Sequence, residues 1–518
     1  MPRGPVCLWR GLMPLKTMLY LPLDERPCNW LFPQMMTRGV AQLELLTPPQ
    51  ELLGRKKTPA DLEGLWAFVE ENFSRSSCAV LSAEMLFLGG LLPSRLHHMS
   101  TAWIARCMER LRALKKSSPE TRLYLFELIM RTPRYSSSDE EPDYYQEYGE
   151  RIFRYGYLKD KQARQGLDAQ EQEDLHSLAN QIPPEHRADY EARRNFNAAL
   201  LENVLELVRD GVVELLYIPQ DDSCEFGYTA IDQKRIHQAI RRLGVEDKVY
   251  MHPGADEAGA ELVARAWLEL TGCSPRVYVE YGSLLAAQII PLYEDRILGA
   301  SVEQHLLACG CERWDDPWTA DLILAVNAPG RVMQESADQQ EGDVTYQSFR
   351  CLRAFVKRIG RFVEAGKPVA VADCAYANGG DLEFLRLLDK AGLLEKLVSY
   401  KGWNTACNTL GTTLAQGVFA LAGQDRAQLR RNLLYHLLDD GLYQALVRAE
   451  VLCRVQQDGL SYFDLGTGAR KYGEFARQRL LEHWRERLPS SFSDLASARF
   501  EIWFPWNRLF EIGITWRT

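Results

Sequence analysis

Nine short apolar runs, each ending in polar or glycine-bearing residues and most followed by a longer stretch of helical periodicity, organise this chain of 518 residues. They are MLYLPLD (18–24), AVLSAE (79–84), LYLFELIM (123–130), VVELLYIPQ (212–220), VYMHPG (249–254), VYVEYG (277–282), LILAVN (322–327), VAVADC (369–374) and LVSYKG (397–402). Strands that alternate with helices imply βαβ units, because a parallel neighbour is reached only through a crossover connection. The count lies close to the eight strands of a (β/α)8-like (TIM) barrel, so the expected fold is α/β, a barrel with one extra edge or inserted strand. A barrel brings the carboxyl end of every strand to one face. An open doubly wound sheet is the competing arrangement, and it would spread the same residues along a crevice.

The barrel is expected over residues 16–416, interrupted at about 135–191 by a charged, glutamine-rich helical insertion placed to serve as a lid. Residues 1–15 lack periodicity and are expected to be a disordered extension, and residues 417–518 read as a mainly helical region ending in the aromatic, β-like run FEIWFPWNRLFEIGITW. The formal net charge of −9, with Lys and Arg dispersed, offers no footprint for nucleic acid. No apolar stretch approaches the length of a membrane span, and no secretory signal is readable, so a cytoplasmic protein without membrane partners is expected. Twelve cysteines are scattered, and the closest pair, Cys309 and Cys311, lacks a second pair at zinc-finger spacing. They are expected to be reduced, mostly buried thiols, with no metal and no cofactor; the oligomeric state is not readable.

The fourth run stops at two adjacent aspartates, Asp221 and Asp222. Two carboxylates in a low-dielectric site repel one another, so one tends to keep a proton while the other stays charged, which is equipment for breaking a glycosidic bond. The other runs supply company for the pair. PLDERPCNW places Asp24, Arg26 and Asn29 on a proline-stiffened turn, either to hold ligand hydroxyls or, for Asp24 and Arg26, as an ion pair pinning the loop. AEMLFLGGLLPSR offers Glu84, a Gly89-Gly90 pair suited to close packing, and Arg95; HPGADE offers His252, Asp256 and Glu257; VYVEYG ends in Tyr281. In VADCAYANGGD and SYKGWNTACNT, Asn378, Asp381, Asn404 and Asn408 supply donors and acceptors for sugar hydroxyls or an acetamido group, and Asp373 at the strand end is expected to line the same pocket. Tyr376 and Trp403 supply rings for a pyranose face, while Cys374 and Cys407 read as buried fillers.

Taken in order, PLDERPCN, AEMLFLGGLLPSR, IMRTPRYSSSDEEPDYY, PQDDSCEFG, HPGADE, ADCAYANGGD and GWNTACNTLGT resemble the bacterial family catalogued as domain of unknown function 4127. The chain departs from that family's usual aspartate at Glu84. The aspartate pair closing the fourth strand is also similar to that of the O-GlcNAcase-type β-N-acetylhexosaminidases, barrel enzymes that use the substrate's own acetamido group as nucleophile. This second resemblance implies Asp221 as orienter of the acetamido group and Asp222 as general acid/base, with Asn404 among the sugar contacts. The expected function is therefore a glycoside hydrolase acting on a small-molecule or glycan substrate. The alternatives are a metal-assisted hydrolase built on Asp24, Asp221, His252, Asp256 and Asp373, and a non-catalytic sugar- or metabolite-binding protein.

Overall fold

The structure is a computed structural model that describes residues 14–517, so all but two residues of the expected extension 1–15 lie outside the described residues. Strands β1 (Lys16–Leu21), β2 (Leu43–Leu46), β3 (Cys78–Ser82), β4 (Arg122–Phe126), β5 (Leu215–Gln220) and β6 (Val249–Pro253) form one parallel sheet in the order β2-β1-β3-β4-β5-β6. Next come β7 (Arg276–Tyr281), β8 (Glu312–Arg313), β9 (Leu322–Asn327), β10 (Gln334–Glu335), β11 (Val369–Asp373), β12 (Tyr376–Ala377) and β13 (Ser399–Lys401). Five of these build a second parallel sheet, β13-β11-β9-β7-β8, and β10 pairs with β12 beside it. The antiparallel pair β14 (Phe500–Trp503) and β15 (Gly513–Trp516) completes the set.

All nine apolar runs are strands, yet they divide between two sheets, and no ladder closes either sheet into a ring among the described residues. Both sheets share one wiring: the first strand sits between the second and third, and later strands add outward from the third. In this arrangement ligands bind outside the carboxyl ends of the strands where the order reverses, which in the first sheet is between β1 and β3.

Side chains explain why the first sheet is covered on both faces. Met18 and Tyr20 of β1, Val80 of β3 and Tyr217 of β5 enter one apolar core, whereas Leu19, Leu21, Leu81 and Ile218 enter a second. Period-two alternation of apolar residues on both faces is the pattern of a parallel sheet flanked by helices. Helix Ala258–Thr271 lies over β1, β3, β4 and β5 and packs against helix Ala406–Leu421, which lies over β9, β11 and β13. The two sheets are thus joined through a pair of closely packed helices. At Gly411 a Cβ would sit 2.5 Å from Glu257 Cγ and 2.7 Å from Glu261 Cδ, so only glycine permits this approach.

The segment between β4 and β5 holds helices Tyr145–Arg164, Ala169–Gln181 and Pro184–Arg209. Asp168 and Glu171 form a reciprocal N-terminal cap on the middle one, which buries none of its residues. A small aromatic core of Tyr145, Tyr190 and Tyr228 with Met130, Ile152 and Ile182 anchors the excursion to the first sheet. Among the described residues no helix is long and apolar enough to cross a membrane.

Candidate functional site

Loops leaving β1, β4, β5, β6 and β13 meet in one network of charged side chains. On β1's loop, Arg26 donates to Asp24 Oδ2 at 2.7 Å and to Asp256 Oδ1 at 2.5 Å, and its other nitrogen lies 3.7 Å from Glu511. Asn29 donates to both Asp24 and Asp256, at 3.0 and 2.9 Å. The ion pair between Asp24 and Arg26 thus does pin the loop, and it extends to the end of β6. Asn404, from β13's loop, reaches Asp256 at 3.5 Å.

Farther along, Arg508 lies between Glu511 and Glu140. Arg131, five residues past the end of β4, donates to Glu140 at 2.7 Å, Glu141 at 2.9 Å and Asp222 at 3.4 Å. Arg95 donates to Glu141 at 3.1 Å and to Asp221 at 2.7 Å. Four guanidinium groups therefore face seven carboxyls, an excess of three negative charges if all were ionised. Three of the carboxyls are held above their ordinary range, each chiefly by burial. Asp256 is raised, Glu511 is pushed up to about 7, and Asp222 is pushed up to about 6 with the Asp221 charge as the next cause.

Exposure differs between the inner ion pairs and the aspartate pair. Side chains of Arg26, Asp24, Arg508 and Glu511 are all under 5% exposed, whereas Asp221 and Asp222 reach 14% and 32%. The aspartate pair is the end that solvent reaches. A buried, paired guanidinium cannot swing away without leaving a charge uncompensated, so the inner pairs form a rigid backing for the outer one.

Backbone strain concentrates in the same place. Lys56, Asp222, Tyr293, Asn378, Asn404 and Trp506 all have positive φ, between 43° and 68°. Hydrogen bonds tie them to the network: Lys56 N and Trp506 Nε1 both donate to Glu25, Asn378 N donates to Asn404 O, and Ser223 N donates to Tyr293 O. Asn378 and Tyr293 also share Glu335, at 2.9 and 2.6 Å. Non-glycine residues in this region cost of order 1–3 kcal/mol each and cluster where geometry is fixed for function.

Other expected site residues lie elsewhere. Glu84 is buried, accepting from Leu128 N at 2.6 Å and Ser82 Oγ at 3.2 Å; it feels the Asp221 charge without touching it, and burial pushes its carboxyl up to about 7. Asp373 is wholly buried, accepting from Tyr400, Asn327 and Asp381 N, each at 2.8 Å, and so holds its own loop. Asp381 caps the following helix and pairs with Arg350 at 2.7 Å. Asn408 donates to Glu257 within the inter-sheet helices. Tyr281 lies beside Arg313, near the edge strand β8.

The two rings expected to stack on a sugar are occupied by protein. Tyr376 stacks on Tyr346 with centroids 4.5 Å apart, and Trp403, 7% exposed, meets the edge of Phe510. Cys374 and Cys407 are buried, and burial pushes both thiols up, which suits fillers. At Gly89, φ is +88° and a Cβ would lie 2.8 Å from Pro59, so this glycine serves close packing.

Several network members were not anticipated. Glu140 and Glu141 sit in a charge run that reads as solvated, and Arg508 and Glu511 sit in a run that reads as sheet. Arg131 stands out only as a polar residue past a strand. A cleft of about 1620 Å³ lies between helix Ala469–Arg487 and the β14–β15 pair, and none of the network's carboxylates line it.

No curated protein matches the chain. Among solved structures, the carboxyl transferase domain from Rhizobium etli pyruvate carboxylase with 3-bromopyruvate is 10% identical, with a TM-score of 0.17 over 80% of this chain. The chain spans about half, 48%, of that one. A family model described as protein of unknown function (DUF4127) matches residues 18–515, and the chain belongs to that family.

Proposed function

We propose that the protein is a glycoside hydrolase in which Asp222 is the general acid and Asp221 orients the substrate's acetamido group, with a β-N-acetylhexosaminide as substrate. The observation that carries this reading is the split within the pair. Asp221 is tied to Arg95 at 2.7 Å, and Asp222, its neighbour, has its carboxyl pushed up to about 6. The raised carboxyl favours Asp222 as the proton carrier, the role that acid-assisted glycoside cleavage needs. Arg95 takes Asp221 Oδ2, so Oδ1 is the atom a substrate amide N–H would reach. The positive φ of Asp222 turns its side chain away from the extended path of the strand, and its exposure is the greatest of the pair.

Asp24 and Asp256 spend their oxygens on Arg26 and Asn29, which favours a positioning role over the metal-ligand role of the alternative reading. Barrel closure, the form that the strand count suggested, is not needed for this chemistry, since loops at the carboxyl ends of two sheets supply the groups.

Aryl N-acetylglucosaminides with good and poor leaving groups test the assignment. Asp222→Ala should lose ~10²–10⁴-fold on the poor leaving groups and far less on the activated ones, because general-acid help is worth that much only where the leaving oxygen needs a proton. Asp221→Ala should depress both substrates alike, and a thiazoline mimic of the cyclised intermediate should bind the wild type tightly. Equal losses in the two variants, or wild-type turnover by Asp222→Ala, would return the pair to a capping or binding role.

A further inference from the structure

Away from the arginine network, three potential metal ligands face one another inside the layer between the sheets. His252 ends β6, Glu261 lies on helix Ala258–Thr271, and His305 lies on helix Leu298–Ala308. All three are buried, at 1%, 0% and 0% exposure, and one donor atom from each lies within 4.8 Å of the others. The rings of the two histidines meet edge to face with centroids 4.5 Å apart.

The hydrogen bonds fix what each group offers. His252 Nδ1 lies 3.1 Å from the Pro253 carbonyl, so Nδ1 carries the proton and Nε2 presents a lone pair. His305 Nδ1 lies 2.8 Å from Glu261 Oε1, so these two atoms face one another and can bind one ion side by side. His252 Nε2, His305 Nε2 and Glu261 Oε2 are buried with no hydrogen-bond partner. Of these, His252 Nε2 is a buried lone pair with no donor to meet it, and such an orphan costs about 1–3 kcal/mol. A cation held among the three side chains would take that lone pair.

We propose that His252, Glu261 and His305 form a closed site for a divalent cation of the zinc type, with Cys309 as the fourth donor. Two imidazoles, a carboxylate and a thiolate are a donor set of the kind Zn²⁺ takes in tetrahedral sites. Cys309 stands one helical turn beyond His305 and donates to Glu261 Oε1 at 3.4 Å, which marks it as the next ligand in line. The site is sealed from solvent and therefore structural. His252 and Glu261 belong to the first sheet and its covering helix, whereas the helix carrying His305 joins β7 to β8 of the second sheet, so the ion staples the two halves together.

Elemental analysis of the full chain, purified without chelator or affinity metal, should find one zinc per chain that survives gel filtration. After stripping, Zn²⁺ alone should raise Tm, and Co²⁺ alone should give the visible bands of a tetrahedral site. Glu261→Gln and His305→Gln should lower metal affinity by at least ~10-fold. Cys309→Ser should remove the thiolate-to-cobalt charge-transfer band. If the ligand variants do not fold, the Co²⁺ titration of the wild type decides alone. Absence of bound metal together with neither a Tm shift nor a cobalt spectrum would overturn the proposal, as would full metal content in a folded Glu261→Gln.

Discussion

Replacing Glu84 by Gln should make the protein more stable at neutral and alkaline pH while leaving it nearly unchanged in acid. The carboxyl is 3% exposed, and burial pushes it from an ordinary 4.5 up to about 7. In the unfolded chain it ionises near its ordinary value. Between those two values the folded protein therefore holds a proton that the unfolded chain has released, and stability falls as pH rises. The contribution is fully present below 4.5 and is lost as pH passes through 7. At 1.36 kcal/mol per unit the cost on the alkaline side is about 3 kcal/mol. Gln avoids it, since its Oε1 can still accept from Leu128 N and its Nε2 can donate to Ser82 Oγ. Unfolding entropy for a chain of this size is roughly 1 kcal/mol/K, so the Tm of Glu84→Gln should exceed that of the wild type by about 3 °C at about pH 8 and match it at about pH 4. Scanning calorimetry of both proteins across that range measures the difference directly. Two melting curves that run parallel with pH would refute the reasoning, because they would mean that Glu84 titrates alike in the folded and unfolded chains.

Three further outcomes are expected. If Asp222 is the acid, kcat/KM should fall as pH rises through about 6, and Asp221→Asn should move that limb to lower pH, because the Asp221 charge is the second cause of the shift after burial; an unmoved limb counts against a shared site. Arg26→Met leaves Asp24, Asp256 and Glu511 without their common cation, and should cost ~3–5 kcal/mol in denaturant titrations, less in acid where the carboxyls are protonated. Asn404→Gly and Asn404→Ala both lose the 3.5 Å contact to Asp256, but φ of +62° penalises only Ala, by about 1 kcal/mol; equal stabilities would show that the backbone relaxes there.

The strands of the two cores were legible because each is buried on both faces and so reads as an unbroken apolar run. What escaped was partition. Whether β6 pairs onward to β7 or gives way to a helix layer depends on contacts between segments, and period-two apolar content is the same in either case. The missed members of the two sheets, β2 and β8, are edge strands: LELL is only partly buried and β8 is two residues long, so neither carries the signal. In the site, Asp24, Arg26, Asn29, Asp256 and Asn404 were legible as polar residues at strand ends, and their convergence follows from parallel wiring. Glu140, Glu141, Arg508 and Glu511 were not, because a buried charge looks like a solvated one until its partner is placed beside it. Tyr376 and Trp403 meet Tyr346 and Phe510, contacts the sequence does not announce, since a ring suited to a sugar face is equally suited to another ring.

The contact between Cys28 and Glu511 spans 483 residues, and Arg26 reaches the same carboxylate. The innermost cation of the β1 loop therefore has all of its partners only once the segment around Glu511 has docked against it. Removing the segment from Trp506 to Glu511 would therefore take the guanidinium of Arg508 from Glu140, the carboxylate of Glu511 from Arg26 and the indole of Trp506 from Glu25, three losses at the two ends of one network.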